Sequence, residues 1–185
     1  MNHIGTKTLE TNRLVLRKFK LSDASDMYIN WASNPNVTKF LIWEPYKNVE
    51  DVEEYIQSVI NKYEKSDSYD WVIVDKKSGQ AIGNISVVGI KESISCTKIG
   101  YCLGEEFWHK GIMTEAFMRV IRFLFEEVDC NRIESTHDVA NPNSGKVMEK
   151  CGLKYEGTLR QASVNNQGVC DCVVRSILKS EYIIN

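Results

Sequence analysis

The stretch that decides the fold is GYCLGEEFWHKGIMTEA, residues 100–116. A predicted strand, Cys96–Leu103, ends here, a short loop with Gly111 follows, and a predicted amphipathic helix, Met113–Glu127, begins. Free backbone N–H groups and the positive end of the helix dipole favour an anion at such a helix start. Gly111 has no side chain, so the backbone can approach a bulky pyrophosphate closely. The stretch therefore predicts a phosphate-binding turn.

Polar groups in the same loop suit an anion. Lys110 and His109 add donors, and Thr114 can either hydrogen-bond a phosphate oxygen or cap the helix. A glycine placed only for packing would give the same local pattern, so both interpretations stay open at this point. The sequence has no GxGxxG fingerprint, and Gly145-Lys146 stands without the first glycine and the Ser/Thr of a P-loop. Nucleoside triphosphate chemistry is therefore not expected.

Strands and helices flank this stretch on both sides. In chain order the predicted elements are the strand Arg13–Phe19, a helix capped by Ser22 and ending near Trp31, the helix Val49–Lys65, the strands Trp71–Val74, Ala81–Val88 and Cys96–Leu103, the helix Met113–Glu127, the strand Arg132–His137, the helix Asn143–Lys150, and the strands Tyr155–Val164 and Cys170–Leu178. A turn is expected at Asn34-Pro35. Hairpins and crossovers together predict an α/β (α+β) fold, a mixed sheet with helices on both faces. We expect residues 1–185 to form a single domain.

The composition is that of an ordinary globular protein. Hydrophobic residues make up 43% and charged residues 26% of the chain, and the formal net charge is −2. Nucleic-acid readers usually carry a basic face, so a nucleic-acid partner is not expected. We expect no membrane partner either, because no secretory signal or run of roughly 20 apolar residues is present.

The six cysteines are scattered, without repeated CxxC pairs. They favour a reducing, cytoplasmic location. Cys170 and Cys172 share one face of a predicted strand, where two packed thiols are the simpler interpretation and a metal or redox pair the alternative. No metal is expected.

Several motifs carry a resemblance to a known family. They are Trp108–Ala116, Ile99–Leu103, Asn141–Ser144 together with Glu149–Gly157, and Leu9–Arg17. Taken in chain order, they resemble the GNAT superfamily of N-acetyltransferases, closest to the branch of ribosomal-protein N-terminal (RimJ/RimL-type) acetyltransferases. The resemblance covers nearly the whole chain. It implies a largely antiparallel mixed sheet in which the strand Cys96–Leu103 splays from the strand Arg132–His137 to admit acetyl-coenzyme A.

The resemblance also implies a set of cofactor-binding residues. The pantetheine arm is expected on the backbone of Tyr101, Cys102 and Leu103, and Asn141 and Ser144 are expected near the coenzyme. The pyrophosphate is expected at His109, Lys110, Gly111, Ile112, Met113 and Thr114. Cys102 could suggest a covalent nucleophile, but GNAT chemistry is direct transfer and no base is evident beside it. Asn141 and Ser144 also suit plain helix capping.

The catalytic groups are only partly implied. Several GNAT enzymes protonate the departing thiolate with a Tyr, but Met148 matches that position, so Ser144 becomes the expected proton donor. Lys98 and Ser163 match positions where relatives carry an acid. Asp138 and Glu44 remain possible bases acting through water, or else a turn residue and a surface residue. The sequence does not identify the base.

The resemblance implies transfer of acetyl from acetyl-coenzyme A to a primary amine, with a protein or peptide N-terminus as the expected acceptor. A small amine (a polyamine, an amino acid or an antibiotic) and a catalytically idle acyl-coenzyme A sensor are the alternatives. The acceptor side is expected at the first two helices and residues 36–47. Four side chains there suit either pocket walls or the core: Phe40, Leu41, Trp43 and Tyr46. Monomer and homodimer, the latter through the edge of the final hairpin, both stay open.

Overall fold

Eight strands form one sheet in the computed structural model, which describes residues 1–182. The strands are β1 Leu9–Glu10, β2 Leu14–Arg17, β3 Asp70–Asp75, β4 Ala81–Lys91, β5 Cys96–Leu103, β6 Arg132–Asp138, β7 Lys154–Asn165 and β8 Gly168–Leu178. Their order across the sheet is β1-β2-β3-β4-β5-β6-β8-β7. Neighbouring strands run antiparallel except β5 and β6, which run parallel. The predicted mixed, largely antiparallel sheet is confirmed.

Helices cover both faces of this sheet. They are α1 Ala24–Met27, α2 Pro35–Thr38, α3 Val49–Lys62, α4 Ile112–Glu126 and α5 Pro142–Lys150. On one face α4 buries Phe123 against Trp71 of β3, and on the other α3 and Trp31 share an apolar cluster that includes Ile56. Two apolar layers therefore enclose the sheet, as the helical spacing of the apolar residues predicts.

The helix predicted from Ser22 to Trp31 differs from expectation in its start and its geometry. Ser22 is the middle residue of a 3-10 turn, Leu21–Asp23, and does not cap a helix. Asp23 immediately precedes α1, and its carboxylate faces the preceding residues: its Oδ2 accepts the Lys20 N–H at 2.8 Å, and Arg17 donates to both carboxylate oxygens at 2.7 and 2.8 Å. A carboxylate forms this two-pronged ion pair and a serine hydroxyl does not. Beyond α1 the chain widens into a π-helical stretch, Tyr28–Ala32.

Two short elements were not predicted. β1 has two residues, too few for an alternating pattern to show. α2 replaces the turn expected at Asn34-Pro35, with the Asn34 side chain accepting the Asn36 N–H at 2.9 Å as its N-cap. The remaining elements lie close to their predicted bounds, and β5 is confirmed at both ends.

The parallel pair β5–β6 separates halfway along. Its ladder runs from Cys96 opposite Arg132 to Ile99 opposite Ser135, and there it ends. At that point the buried Ser135 Oγ donates to the Ile99 carbonyl at 2.8 Å, while β6 continues along β8 as far as Asp138. The outer half of β5 therefore keeps β4 on one side and faces a gap on the other. The expected splay of these two strands is confirmed.

In the part of the chain that the structure describes, no helix combines the length and the apolar character that a membrane crossing needs.

Candidate active site

A cavity of about 570 Å³ opens at the splay. Its wall is formed by the outer half of β5, the loop before α4, the start of α5 and residues from Asn36 to Leu41. Ten of the expected site residues line it: Tyr101, Cys102, Leu103, His109, Gly111, Ile112, Met113, Thr114, Asn141 and Ser144. Lys110 is the exception, because its ammonium lies 5.7 Å from the centre of the Phe107 ring and its exposed side chain is outside the cavity wall.

The loop before α4 has the backbone of an anion-binding turn. His109 and Gly111 both adopt left-handed conformations, with φ of 59° and 72°. The first helical hydrogen bond of α4 runs from the Glu115 N–H to the Gly111 carbonyl at 3.0 Å. The N–H groups of Ile112, Met113 and Thr114 therefore precede the helical ladder and are available to an anion.

A cross-brace fixes this loop to the start of the sheet. Glu115 Oε2 accepts from Arg13 Nε at 2.6 Å, and Glu115 Oε1 accepts from Thr11 Oγ1 at 2.6 Å. Arg13 Nη1 in turn donates to the Lys110 carbonyl at 2.9 Å. Burial raises the pKa of the Glu115 carboxyl, but the hydrogen bonds from Thr11 and Arg13 outweigh it and the net pKa is lowered. Two motifs about 100 residues apart thus form one rigid unit.

At another part of the cavity wall, two hydroxyl groups meet. The Tyr101 Oη lies 2.9 Å from Ser144 Oγ and donates to the Ser144 carbonyl at 2.9 Å. Burial raises the pKa of the Tyr101 phenol far above its ordinary value, so the phenol keeps its proton. Asn141 Oδ1 accepts the Ser144 N–H at 3.3 Å as the cap of α5. Sequence reasoning gave Tyr101 only a backbone role, because nothing local shows that β5 and α5 touch here.

The candidate bases from the sequence lie outside the cavity wall. Asp138 accepts hydrogen bonds at 2.7 Å from the Ala140 N–H and from Asn165 Nδ2. Burial raises the pKa of Asp138, but these hydrogen bonds outweigh it, and the lowered net pKa makes the carboxylate a weaker base. Glu44 is exposed in the loop that follows α2. Asp138 is therefore a turn residue and Glu44 a surface residue.

Lys98 and Ser163, which match acidic positions of relatives, also lie away from the cavity wall. Lys98 sits in the paired half of β5 opposite Glu134, and Ser163 is exposed on β7 opposite Cys170. Among the residues from 1 to 182, the carboxylate in the wall is Glu105. Hydrogen bonds from the side chains of Asn34 and then Asn36 lower the pKa of this exposed carboxyl. Sequence reasoning did not single it out.

The acceptor-side residues divide into two groups. Phe40 and Leu41 line the cavity, and the Lys39 ammonium lies 5.3 Å from the centre of the Phe40 ring. Trp43 and Tyr46 instead pack on each other, with ring centres 5.5 Å apart, against the core beneath α3. Phe40 and Leu41 are therefore pocket walls, and Leu41 also packs against the core together with Trp43 and Tyr46.

The comparisons with known proteins agree with this fold. Residues 13–154 match the acetyltransferase (GNAT) domain family, and the chain belongs to that family as a GNAT-type N-acetyltransferase. It is 31% identical to the uncharacterized N-acetyltransferase p20 of Bacillus licheniformis, over 95% of this chain and 98% of the relative. It is 28% identical to the [ribosomal protein uS5]-alanine N-acetyltransferase of Escherichia coli, over 80% of this chain and 79% of that one.

A solved structure shows the same fold. The microcin C7 self immunity acetyltransferase MccE, crystallised with acetyl-CoA and AMP, superposes with a TM-score of 0.82 at 24% identity. The superposition covers 91% of this chain and 93% of the MccE chain. At this identity the likeness speaks for the fold alone.

Proposed function

We propose that this chain transfers an acetyl group from acetyl-coenzyme A to the α-amine of a protein or peptide. One observation carries the proposal: a single cavity joins an anion-binding turn, an unpaired stretch of strand and a pair of hydroxyl groups. The Escherichia coli relative, which is named for acetylating an alanine of a ribosomal protein, supports a protein N-terminus as the acceptor.

The proposed orientation of the coenzyme places its pyrophosphate at the loop before α4 and its pantetheine arm along β5. Its pyrophosphate suits the loop His109–Thr114, where backbone N–H groups converge and Gly111 leaves room. Lys146 and Lys150, one turn apart on α5, line the same cavity and supply positive charge for phosphate groups. The unpaired backbone of β5 offers hydrogen bonds to the amide groups of a pantetheine arm, as an added strand would.

The reaction needs a proton at the departing sulfur. In the proposed step the acceptor nitrogen attacks the thioester carbon, a C–N bond forms, the C–S bond breaks and the acceptor's surplus proton leaves to water. Ser144 Oγ–H supplies the proton to the sulfur, and Ser144 then regains a proton from the water that took the acceptor's surplus proton. Tyr101 Oη, 2.9 Å from Ser144 Oγ, keeps its own proton and holds the serine hydroxyl in place. Met148, which matches the Tyr of other GNAT enzymes, is buried in the core with 1% of its surface exposed.

A pooled library tests the proposed function. Purified protein is mixed with acetyl-coenzyme A, a set of peptides with free N-termini and a set of small amines, and thiol release is followed beside mass spectrometry. We expect an added acetyl group on peptide N-termini. Acetylation of small amines alone would replace the proposed acceptor. Calorimetric binding without thiol release would indicate an acyl-coenzyme A sensor, and absence of binding would reject the proposal.

Cys102 tests whether transfer is direct. Burial raises the pKa of its thiol to about 12, so almost no thiolate nucleophile exists at neutral pH. We therefore expect Cys102→Ala to keep kcat within about twofold, while the small cavity costs about 1 kcal/mol of folding stability. Intact-protein mass spectrometry of reactions quenched during turnover should show enzyme that carries no acetyl group. An acetylated Cys102, or a large loss of kcat in the variant, would contradict direct transfer.

A further inference from the structure

The turn between β7 and β8 reaches across to the loop that follows α2. Asn166 Nδ2 donates to the Thr38 carbonyl at 3.0 Å and to the Trp43 carbonyl at 2.8 Å. The Asn166 backbone N–H donates to the Leu41 carbonyl at 3.1 Å. One residue thus ties together three carbonyls of a segment more than 120 positions away in the sequence. We call residues 38–43 together with Asn165 and Asn166 the arch.

The arch is anchored at its other end. Asn165 Nδ2 donates to Asp138 Oδ2 at 2.7 Å, and Asp138 is the last residue of β6. This carboxylate is also held by the Ala140 N–H, so the base of the turn has a fixed position. The Asn166 side chain is therefore presented from a supported turn, and residues 38–43 take their position from it.

The held segment is part of the cavity wall. Lys39, Phe40 and Leu41 line the same cavity as Ser144. Leu41 N–H bonds the Thr38 carbonyl locally, and within residues 1–182 the long-range hydrogen bonds of residues 39–45 come from Asn166. The Asn166 side chain supplies two of the three bonds that Asn166 donates to residues 38–43, so the position of this wall, and hence the width of the opening beside it, depends in part on that amide.

We propose that Asn166 is a specificity-determining positioning residue that sets the width of the acceptor opening. The inference rests on the proposed acetyl transfer and adds to it the residue that controls which amines enter. An amide suits the role because its two N–H groups donate to two carbonyls at once. An aspartate in the same place would point oxygens at carbonyl oxygens, and an alanine would keep only the backbone hydrogen bond to Leu41.

Two variants of Asn166 test the inference with matched acceptors. We expect Asn166→Ala to raise the acceptor KM about tenfold, because a loosened wall binds the acceptor less well. Asn166→Asp should raise it at least as much. A widened opening should also raise the kcat/KM for a peptide with an N-terminal tryptophan relative to that for an otherwise identical peptide with an N-terminal alanine. The KM for acetyl-coenzyme A should stay within about twofold, since Asn166 donates its hydrogen bonds to residues 38–43 and to none of the residues proposed to hold the coenzyme.

Gln167→Ala is the matched control. Gln167 lies in the same turn and is exposed, and its hydrogen bonds stay within the turn, to Asn165 and Asn166. It should behave as wild type. Calorimetric binding of acetyl-coenzyme A confirms that each variant is folded. If the wild type acetylates only small amines, the smallest and largest active amines replace the two peptides.

Two results would overturn the inference in different ways. Asn166 variants with the wild-type acceptor KM and the wild-type ratio between the two peptides would reject the arch as a determinant and leave acetyl transfer intact. A wild-type protein that binds acetyl-coenzyme A and acetylates no amine would reject the proposed function and the inference together. A rise in acceptor KM with an unchanged acetyl-coenzyme A KM supports the arch.

Discussion

Ser144→Ala should lower kcat for acetyl transfer by about 100-fold, the usual worth of a positioned proton donor. The substitution removes Oγ, which lies 2.9 Å from the Tyr101 phenol in the cavity wall. It leaves the cap of α5 intact, because Asn141 accepts the backbone N–H of Ser144 and not its hydroxyl. Binding of acetyl-coenzyme A and the melting temperature should therefore change little. Thiol release at saturating substrates measures kcat, and calorimetry measures binding.

Tyr101→Phe separates the two hydroxyl groups. It keeps the ring packed on Phe117, whose centre is 5.5 Å away, and removes only the phenol oxygen. We expect a loss of about tenfold in kcat and little further loss when it is combined with Ser144→Ala, because the pair acts as a unit. Tyr155→Phe, an exposed phenol on β7, is the control. If Ser144→Ala keeps kcat within about threefold, Ser144 does not donate the proton.

Gly111→Ala should raise the KM for acetyl-coenzyme A by about 10- to 100-fold with a smaller effect on kcat. Gly111 has φ of 72°, a conformation that costs an L-residue about 1–2 kcal/mol. The protein itself leaves space for the new methyl group, since the nearest atom of another segment is Arg13 Nη2 at 3.7 Å. The methyl group instead projects where the pyrophosphate is proposed to bind. Initial rates across a range of acetyl-coenzyme A concentrations give the result.

Gly79→Ala provides the control for backbone strain. Gly79 has φ of 74° in the turn between β3 and β4, and a methyl group there meets nothing within 4 Å. Both variants should lower the melting temperature by about 2–8 °C, which corresponds to about 1–2 kcal/mol. Only Gly111→Ala should affect acetyl-coenzyme A. An equal rise of KM in both variants would mean that strain, and not contact with the phosphates, causes the effect.

The centre of the fold could be predicted from the sequence because its signals are local. β5 is a short, largely apolar run, α4 repeats its apolar residues at helical spacing, and Gly111 marks the junction between them. The first helix was mispredicted because Ser22 looks like a cap, whereas Asp23 gains an ion pair with Arg17 that sequence spacing does not show. Serine is a common capping residue, but the ion pair between Arg17 and Asp23 determines where this helix begins.

The sequence predicted the coenzyme side of the candidate site but not the long-range contacts that complete it. The residues that line it from β5, the loop and the start of α5 lie in the motifs at 99–116 and 141–144, whereas Lys146, Val147 and Lys150 of α5 lie outside them and were not predicted. The contacts that complete it join segments far apart in the chain: Tyr101 with Ser144, Arg13 with Glu115, and Asn166 with Trp43. Neither periodicity nor propensity encodes such pairs. They depend on which strands the topology places side by side.

The cross-brace between Arg13 and Glu115 has a consequence for ligand residence. The shape of the loop before α4 is fixed while the chain folds, so an arriving anion does not have to order it. A flexible loop would lose conformational entropy each time it bound a ligand, whereas this loop loses that entropy once, when the chain folds. Removing the Thr11 hydroxyl, which does not contact the proposed phosphate site, should therefore raise the dissociation rate of a ligand bound there.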